Sequence, residues 1–265
     1  MTKQTLTLDL GNSTLAVGLF EADRLVKHFH FPNTTPVSQL TQKILRQTGG
    51  QRADRKINAA CGCSVVPDLT PPLLAELEST LGLRPLLLTP TPAKNHGLKI
   101  GYHRPTQLGA DRIAAALGAR KLYPGENLVI VDCGTATTLT FLTKSGELIG
   151  GAILPGLALW PAALAQATAK LPNVKLPRTS EPLPAPVAKD TASAIRAGAL
   201  YGHAGAIREL AALGAREAFG PRATSRARII GTGGQAPHFA AQSCFTVMEP
   251  ALTLHGLQAY AAAHA

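Results

Sequence analysis

A chain of 265 residues that is 45% hydrophobic has the means to bury a sizeable core, which excludes global disorder and leaves room for one large or two medium domains. Its net charge of +10 is spread over scattered residues, most of them arginines, with few aromatics between them and no zinc-finger spacing, so the basic surface points to small anionic ligands rather than to nucleic acid. No apolar stretch is long enough to cross a bilayer, Met1-Thr2-Lys3-Gln4 does not open a signal peptide, and the four cysteines form no disulfide framework, so a soluble cytoplasmic protein with no membrane partner is expected.

In chain order, residues 5–10, 14–20 and 25–31 alternate as three antiparallel strands. The first ends in Asp9-Leu10-Gly11-Asn12-Ser13. An aspartate at a strand end is a hard oxygen ligand for a cation. A glycine two residues on lets the backbone approach a ligand with no Cβ in the way, and the amides and hydroxyls that follow suit phosphate oxygens. His28 and His30 share one face of the third strand. A half-exposed strand face accounts for them better than a metal pair, since no third ligand is nearby. A helix is predicted over 37–47, a strand over 56–61 and a helix over 71–81, opened by Pro71-Pro72. Cys61-Gly62-Cys63 is too tight for an easy bridge and lacks the second pair of a zinc site. Residues 88–106, rich in proline, glycine and histidine, read as a long loop of the kind that carries function. The next helix is predicted from about Asp111 to Ala119, and Asp111 reads either as a ligand-facing group or as the helix N-cap.

The opening phrase then returns. Leu128-Val129-Ile130-Val131 runs into Asp132-Cys133-Gly134-Thr135-Ala136-Thr137-Thr138, about half a chain length after the first copy. Strands are predicted over 127–132, 136–142 and 147–154, helices over 156–168 and 191–217, a strand over 227–231, a helix over 235–241, a strand over 244–248 and a closing helix over 253–263. Pro177 to Pro186 is a connector. Two strand–turn–strand units at this spacing predict a duplicated α/β architecture with mixed sheets, divided into 1–118 and 119–265, with the two glycine turns facing each other across a cleft. No Gly-Lys-Ser/Thr occurs and neither turn holds a lysine, so a bound nucleotide needs a metal ion such as Mg²⁺ to neutralise its phosphates. Gly231-Thr232-Gly233-Gly234-Gln235-Ala236 matches a dinucleotide pattern formally, but too little chain follows it, and it reads as a glycine turn for a flat ring. Cys133 reads as a small residue tolerated in the second turn.

Taken together, the two turns, Gly109-Ala110-Asp111-Arg112, Gly150-Gly151-Ala152-Ile153-Leu154-Pro155-Gly156, Ala169-Lys170-Leu171-Pro172, Thr191 with Gly198, Thr232-Gly233-Gly234 and Leu252-Thr253-Leu254-His255-Gly256-Leu257 occur in an order that closely resembles the bacterial type III pantothenate kinases. The resemblance spans essentially the whole chain. It implies an actin-like, ribonuclease H-like α/β fold of two related domains. It also implies the first step of coenzyme A synthesis, in which ATP and pantothenate give ADP and 4′-phosphopantothenate. Carried over by position, it implies that Asp9, Leu10, Gly11, Asn12, Ser13, Thr14, Leu15 and Ala16 hold the ATP phosphates, Asp9 through Mg²⁺, and that Thr135 contacts ATP. Asp132 would bind a monovalent cation, K⁺ or NH₄⁺. Tyr102, Gly109, Ala110, Asp111, Arg112 and Thr191 would hold pantothenate, with Asp111 as proton acceptor. The functional unit would be a homodimer, with Thr191 serving the partner's site. Ser13 stands where the family commonly has threonine, and Trp160-Pro161 replaces more polar residues. Two other readings stay open: a non-catalytic relative like the Bvg accessory factors, and a kinase for another small acid or sugar.

Overall fold

The computed structural model describes residues 3–49, 57–90, 97–222 and 226–264. The chain forms two compact units, Met1–Pro124 with Ala251–Ala265, and Gly125–Pro250. The expected division after residue 118 falls inside a helix, and the closing helix belongs with the N-terminal unit rather than with the half that precedes it.

In the first unit the strands are β1 (Gln4–Leu10), β2 (Thr14–Glu21), β3 (Arg24–Pro32), β4 (Ile57–Ser64) and β5 (Leu86–Leu87), in sheet order β3-β2-β1-β4-β5. The β1–β2 and β2–β3 pairs are antiparallel, and the β1–β4 and β4–β5 pairs are parallel. Alternation in β1 sends Leu6, Leu8 and Leu10 to one face, where they meet α1 (Val37–Thr48) and α2 (Thr70–Leu81) through Leu40, Ile44, Leu73 and Leu77. Each such leucine, fully buried, contributes about 1.5–3 kcal/mol. The opposite face, with Thr7 and Asp9, is covered by α6 (Leu252–Ala263), which packs on β1 and β4 and against α3 (Ala110–Leu122). These two helices touch backbone to backbone. A Cβ on Gly118 would strike the Leu252 carbonyl, and one on Gly256 would strike the Ala114 carbonyl.

The second unit repeats the plan. Its strands β7 (Leu128–Cys133), β8 (Ala136–Leu142), β9 (Glu147–Pro155), β10 (Arg228–Thr232) and β11 (Val247–Met248) run in the order β11-β10-β7-β8-β9. The β7–β8 and β8–β9 pairs are antiparallel; β10 pairs in parallel with β7 and β11. Val129, Val131 and Cys133 face the long helix α5 (Thr191–Phe219), whose stripe Leu200, Ala204, Ile207, Ala211 and Ala215 has helical spacing. α5 is capped by Asp190, whose carboxylate accepts from the Ser193 N–H at 2.9 Å.

Most predicted elements stand within a few residues of their expected ends, with four differences. The segment 88–106 contains a short strand β6 (Lys99–Ile100) and a 3-10 turn at Pro105–Gln107, while 91–96 lies outside the described residues, as does residue 56 at the start of the predicted fourth strand. The helix expected from 156 starts later, as α4 (Leu159–Ala167): β9 runs on to Pro155, and a turn follows in which the Leu159 N–H donates to the Gly156 carbonyl at 2.9 Å. The helix expected at 235–241 is a 3-10 helix, Ala236–Gln242, with proline near its start and left-handed Ser243 after it. The strand expected over 244–248 is reduced to its last two residues.

Candidate active site

In the first unit the turn after β1 is held shut by its own backbone, the Gly11 N–H donating to the Thr14 carbonyl at 2.9 Å. Asn33, just past β3, braces it: its side-chain amide donates to the carbonyls of Gly11 (3.2 Å) and Asn12, and its N–H donates to that of Ser13. Asn12, Ser13 and Thr14 are exposed, Gly11 and Ala16 half-buried, and Leu10 and Leu15 sit in the core, so the two leucines offer a ligand only their backbone.

Asp9 is half-buried at the end of β1. Its in-register neighbour on β4 is Cys63, whose thiol donates to Asp9 Oδ1 at 3.3 Å. Burial first, then the negative charges of Asp9 and Asp111, hold the Cys63 thiol far above its usual range, so it is a neutral donor. Asp111 comes to the same neighbourhood on α3, which packs on β4. Asp111 lies in the first turn of α3 and is not its N-cap, which is Gly109. A Cβ at Gly109 would collide with the Asp111 carboxylate, and Asp111 Oδ1 accepts from the Arg112 N–H at 2.8 Å. Burial lifts its proton affinity above that of a free aspartate, against the opposing pull of the Arg112 N–H and guanidinium. The Arg112 side chain, 8% exposed, donates to the Tyr102 hydroxyl at 2.6 Å and lies 5.6 Å from that ring's centre. One end of the sheet thus gathers Asp9, Cys63, Tyr102, Asp111 and Arg112.

In the second unit Asp132 ends β7 as Asp9 ends β1, half-buried, and Thr135 is exposed in the following turn. Gly156 lies so close beneath this turn that a Cβ there would enter the Gly134 and Thr135 carbonyls. Gly233, at φ +86°, presses on the Asp132 carboxylate where no Cβ fits, so the expected ring-stacking turn is first a brace for Asp132, while Gly234 next to it faces open space. Cys133 points the other way, into the core, where burial raises its thiol. Behind the turn, Thr137 Oγ1 meets His203 Nε2 at 3.0 Å; the fully buried His203 ring stacks on Phe239. Thr191 is the first residue of α5 rather than its cap. It is exposed at an open apolar groove of about 830 Å³, lined also by Leu159, Trp160, Leu164, Leu171 and Ile195.

Asn33, Cys63, Gly156 and His203 were not singled out from the sequence as site residues, and Gly233 was read as facing a ring rather than Asp132. Only the strand registers and turn packing bring them to the two aspartates. Among the described residues no three His, Cys, Asp or Glu side chains form a metal cluster, and no helix is long and apolar enough to cross a membrane.

Two mixed sheets that share a five-strand order, each ending a central strand in Asp-x-Gly, define an actin-like ATPase fold. A structure of MreB 5 from Spiroplasma citri bound to AMPPNP is similar in fold, with a TM-score of 0.54 and 11% identity over 97% of this chain and 95% of that one. A conserved Baf-family protein from Campylobacter jejuni, described as a transcriptional activator, superposes with a TM-score of 0.60 and 20% identity over 96% of each chain. The profile of the type III pantothenate kinase family matches residues 5–213. Type III pantothenate kinase 1 of Francisella tularensis subsp. holarctica (strain OSU18) is 37% identical over 254 residues, 95% of this chain and 96% of that protein. This chain belongs to the type III pantothenate kinase family.

Proposed function

We propose that this protein transfers the γ-phosphoryl group of ATP to pantothenate, giving 4′-phosphopantothenate at the start of coenzyme A synthesis, and that Asp9 and Asp111 do the central work. The family assignment supports the reaction. The observation that carries the division of labour is a strand-end carboxylate bonded to the Cys63 thiol of β4 and a half-buried helix-start carboxylate on α3, the helix that packs on the same strand.

The 4′-hydroxyl oxygen of pantothenate attacks the γ-phosphorus in line. As that bond forms, the bond to the bridging oxygen of ADP breaks and ADP leaves with the electron pair. The hydroxyl proton passes to Asp111, whose raised proton affinity suits it to accept. Arg112, steadied by Tyr102, orients Asp111 and the pantothenate carboxylate. Gly109 and Ala110 leave room beside them. The exposed Asn12, Ser13 and Thr14, with the backbone of residues 9–16, cradle phosphate oxygens, and Thr135 adds a contact to ATP.

The donors of this site fit a hard divalent cation. Asp9 is a carboxylate at a turn with room for phosphate, and a site of few protein ligands is what Mg²⁺ accepts when phosphates and water complete its shell. Bound there, Mg²⁺ supplies charge neutralisation. Asp132, walled by Gly233, suits a monovalent cation, K⁺ or NH₄⁺. The open groove at Thr191 favours a homodimer, with Thr191 turned to the partner's pantothenate. The cytoplasm, where ATP is made and thiols stay reduced, is the fitting compartment for four free, buried cysteines.

The test is ADP release with and without pantothenate, at saturating Mg-ATP, in K⁺, NH₄⁺ and Na⁺. The expected result is pantothenate-dependent ADP with a matching phosphorylated product, faster in K⁺ and NH₄⁺ than in Na⁺. Folded protein that releases no ADP on addition of pantothenate contradicts the reading; equal rates in the three salts contradict the role of Asp132 alone.

A further inference from the structure

We propose that Cys63 is a positioning residue for the Asp9 carboxylate, its thiol fixing the carboxylate in the orientation that receives the divalent cation. The proposal rests on the kinase reading above for the cation's purpose, and on three observations for itself.

The first is register. β1 and β4 run parallel with Asp9 opposite Cys63, so both side chains leave the same face of the sheet at its phosphate end. The second is the contact. The residue is 2% exposed and its thiol donates to Oδ1 at 3.3 Å, which ties that carboxylate oxygen to β4 and so restricts how the carboxylate can turn. The third comes from the molecule's own duplication. In the second unit, β7 and β10 run parallel with Asp132 opposite Thr232, itself 3% exposed. Each half therefore sets a small buried side chain with an S–H or O–H in register beside its strand-end aspartate. Partners that orient a metal-binding carboxylate typically change metal affinity or activity by about 10–100-fold when removed. A thiol is a weak donor, which sets the expectation here at the lower end of that range.

The experiment measures Mn²⁺ binding to the full chain in the presence of ATP and without pantothenate, by electron paramagnetic resonance of free Mn²⁺. Wild type is compared with Cys63→Ala, Cys63→Val and Cys63→Ser, each checked for its thermal unfolding transition. We expect Cys63→Ala and Cys63→Val to weaken Mn²⁺ about tenfold, and Cys63→Ser, which restores a donor, to recover it. In turnover, the same variants shift the Mg²⁺ concentration for half-maximal rate more than kcat. A folded Cys63→Ala or Cys63→Val protein with wild-type Mn²⁺ affinity overturns the proposal, and so does a Cys63→Ser protein as weak as Cys63→Ala. Because the binding arm needs no pantothenate, it reads Cys63 separately: wild type that binds Mn²⁺-ATP but never phosphorylates pantothenate counts against the kinase reading and not against this one.

Discussion

Asp111 is half-buried in the first turn of α3, and loss of hydration raises its proton affinity. A base must be unprotonated to act, so kcat/KM is expected to fall with acid through a pKa above the 3.8 of an ordinary aspartate. Asp111→Asn should fold, lose about 10²–10⁴ in turnover, and lose that acid limb from its pH–rate profile; near-normal turnover would remove Asp111 from the mechanism. His203 carries a prediction about stability instead. Burial lowers its pKa from 6.5 to about 4, so between those values the folded ring binds fewer protons than the unfolded chain. Stability is therefore whole above pH 6.5 and drains away as pH falls toward 4, by on the order of 3 kcal/mol. Urea unfolding at pH 7.5 and at pH 4.5 should show a steeper loss in wild type than in His203→Phe, which has no ring proton to gain. Equal losses would mean that the ring titrates normally.

At the scale of elements, the α3–α6 contact is the tightest test of the packing. A glycine in a helix interior is ordinarily improved by alanine, by up to about 1 kcal/mol. At Gly256 the added methyl would press on the Ala114 carbonyl and the Gly118 N–H, so the sign reverses. Gly256→Ala is expected to cost about 1–3 kcal/mol, as other overpacked cores do, seen as a lowered calorimetric Tm. A raised Tm would show that the two helices do not meet backbone to backbone. The contact matters for function because α3 carries Asp111 in its first turn and α6 covers the face of β1 that carries Asp9. Glycines at 109, 156 and 233 serve the same end locally, each admitting a carbonyl or a carboxylate where a Cβ would stand.

At the scale of the whole molecule, the groove beside Thr191 leaves Leu159 and Leu164 44% and 39% exposed, adjoining apolar side chains of the kind that mark a contact surface. If a second copy covers it, Leu164→Arg places a charge in an apolar contact and should convert dimer to monomer in sedimentation velocity at micromolar concentration. A dimer that persists would locate the contact elsewhere.

By itself the sequence determined the duplicated strand–turn–strand plan, the order of nearly every element, the two aspartates and the family. These are local matters: alternation, glycine turns and short motifs are written in neighbouring residues, and the two Asp-x-Gly turns reinforce each other by being copies. It placed Asp111 at a helix start and left open whether it caps the helix; the structure gives the caps of α3 and α5 to Gly109 and Asp190. The tertiary structure alone decided that α6 returns to the first unit, that Gly233 walls Asp132, and that Cys63, fifty-odd residues after Asp9 in the chain, is its hydrogen-bond partner. The reason is register. Which residue of β4 lies beside which residue of β1 depends on how two distant strands pair, and a shift of one residue would have turned Cys63 to the other face of the sheet.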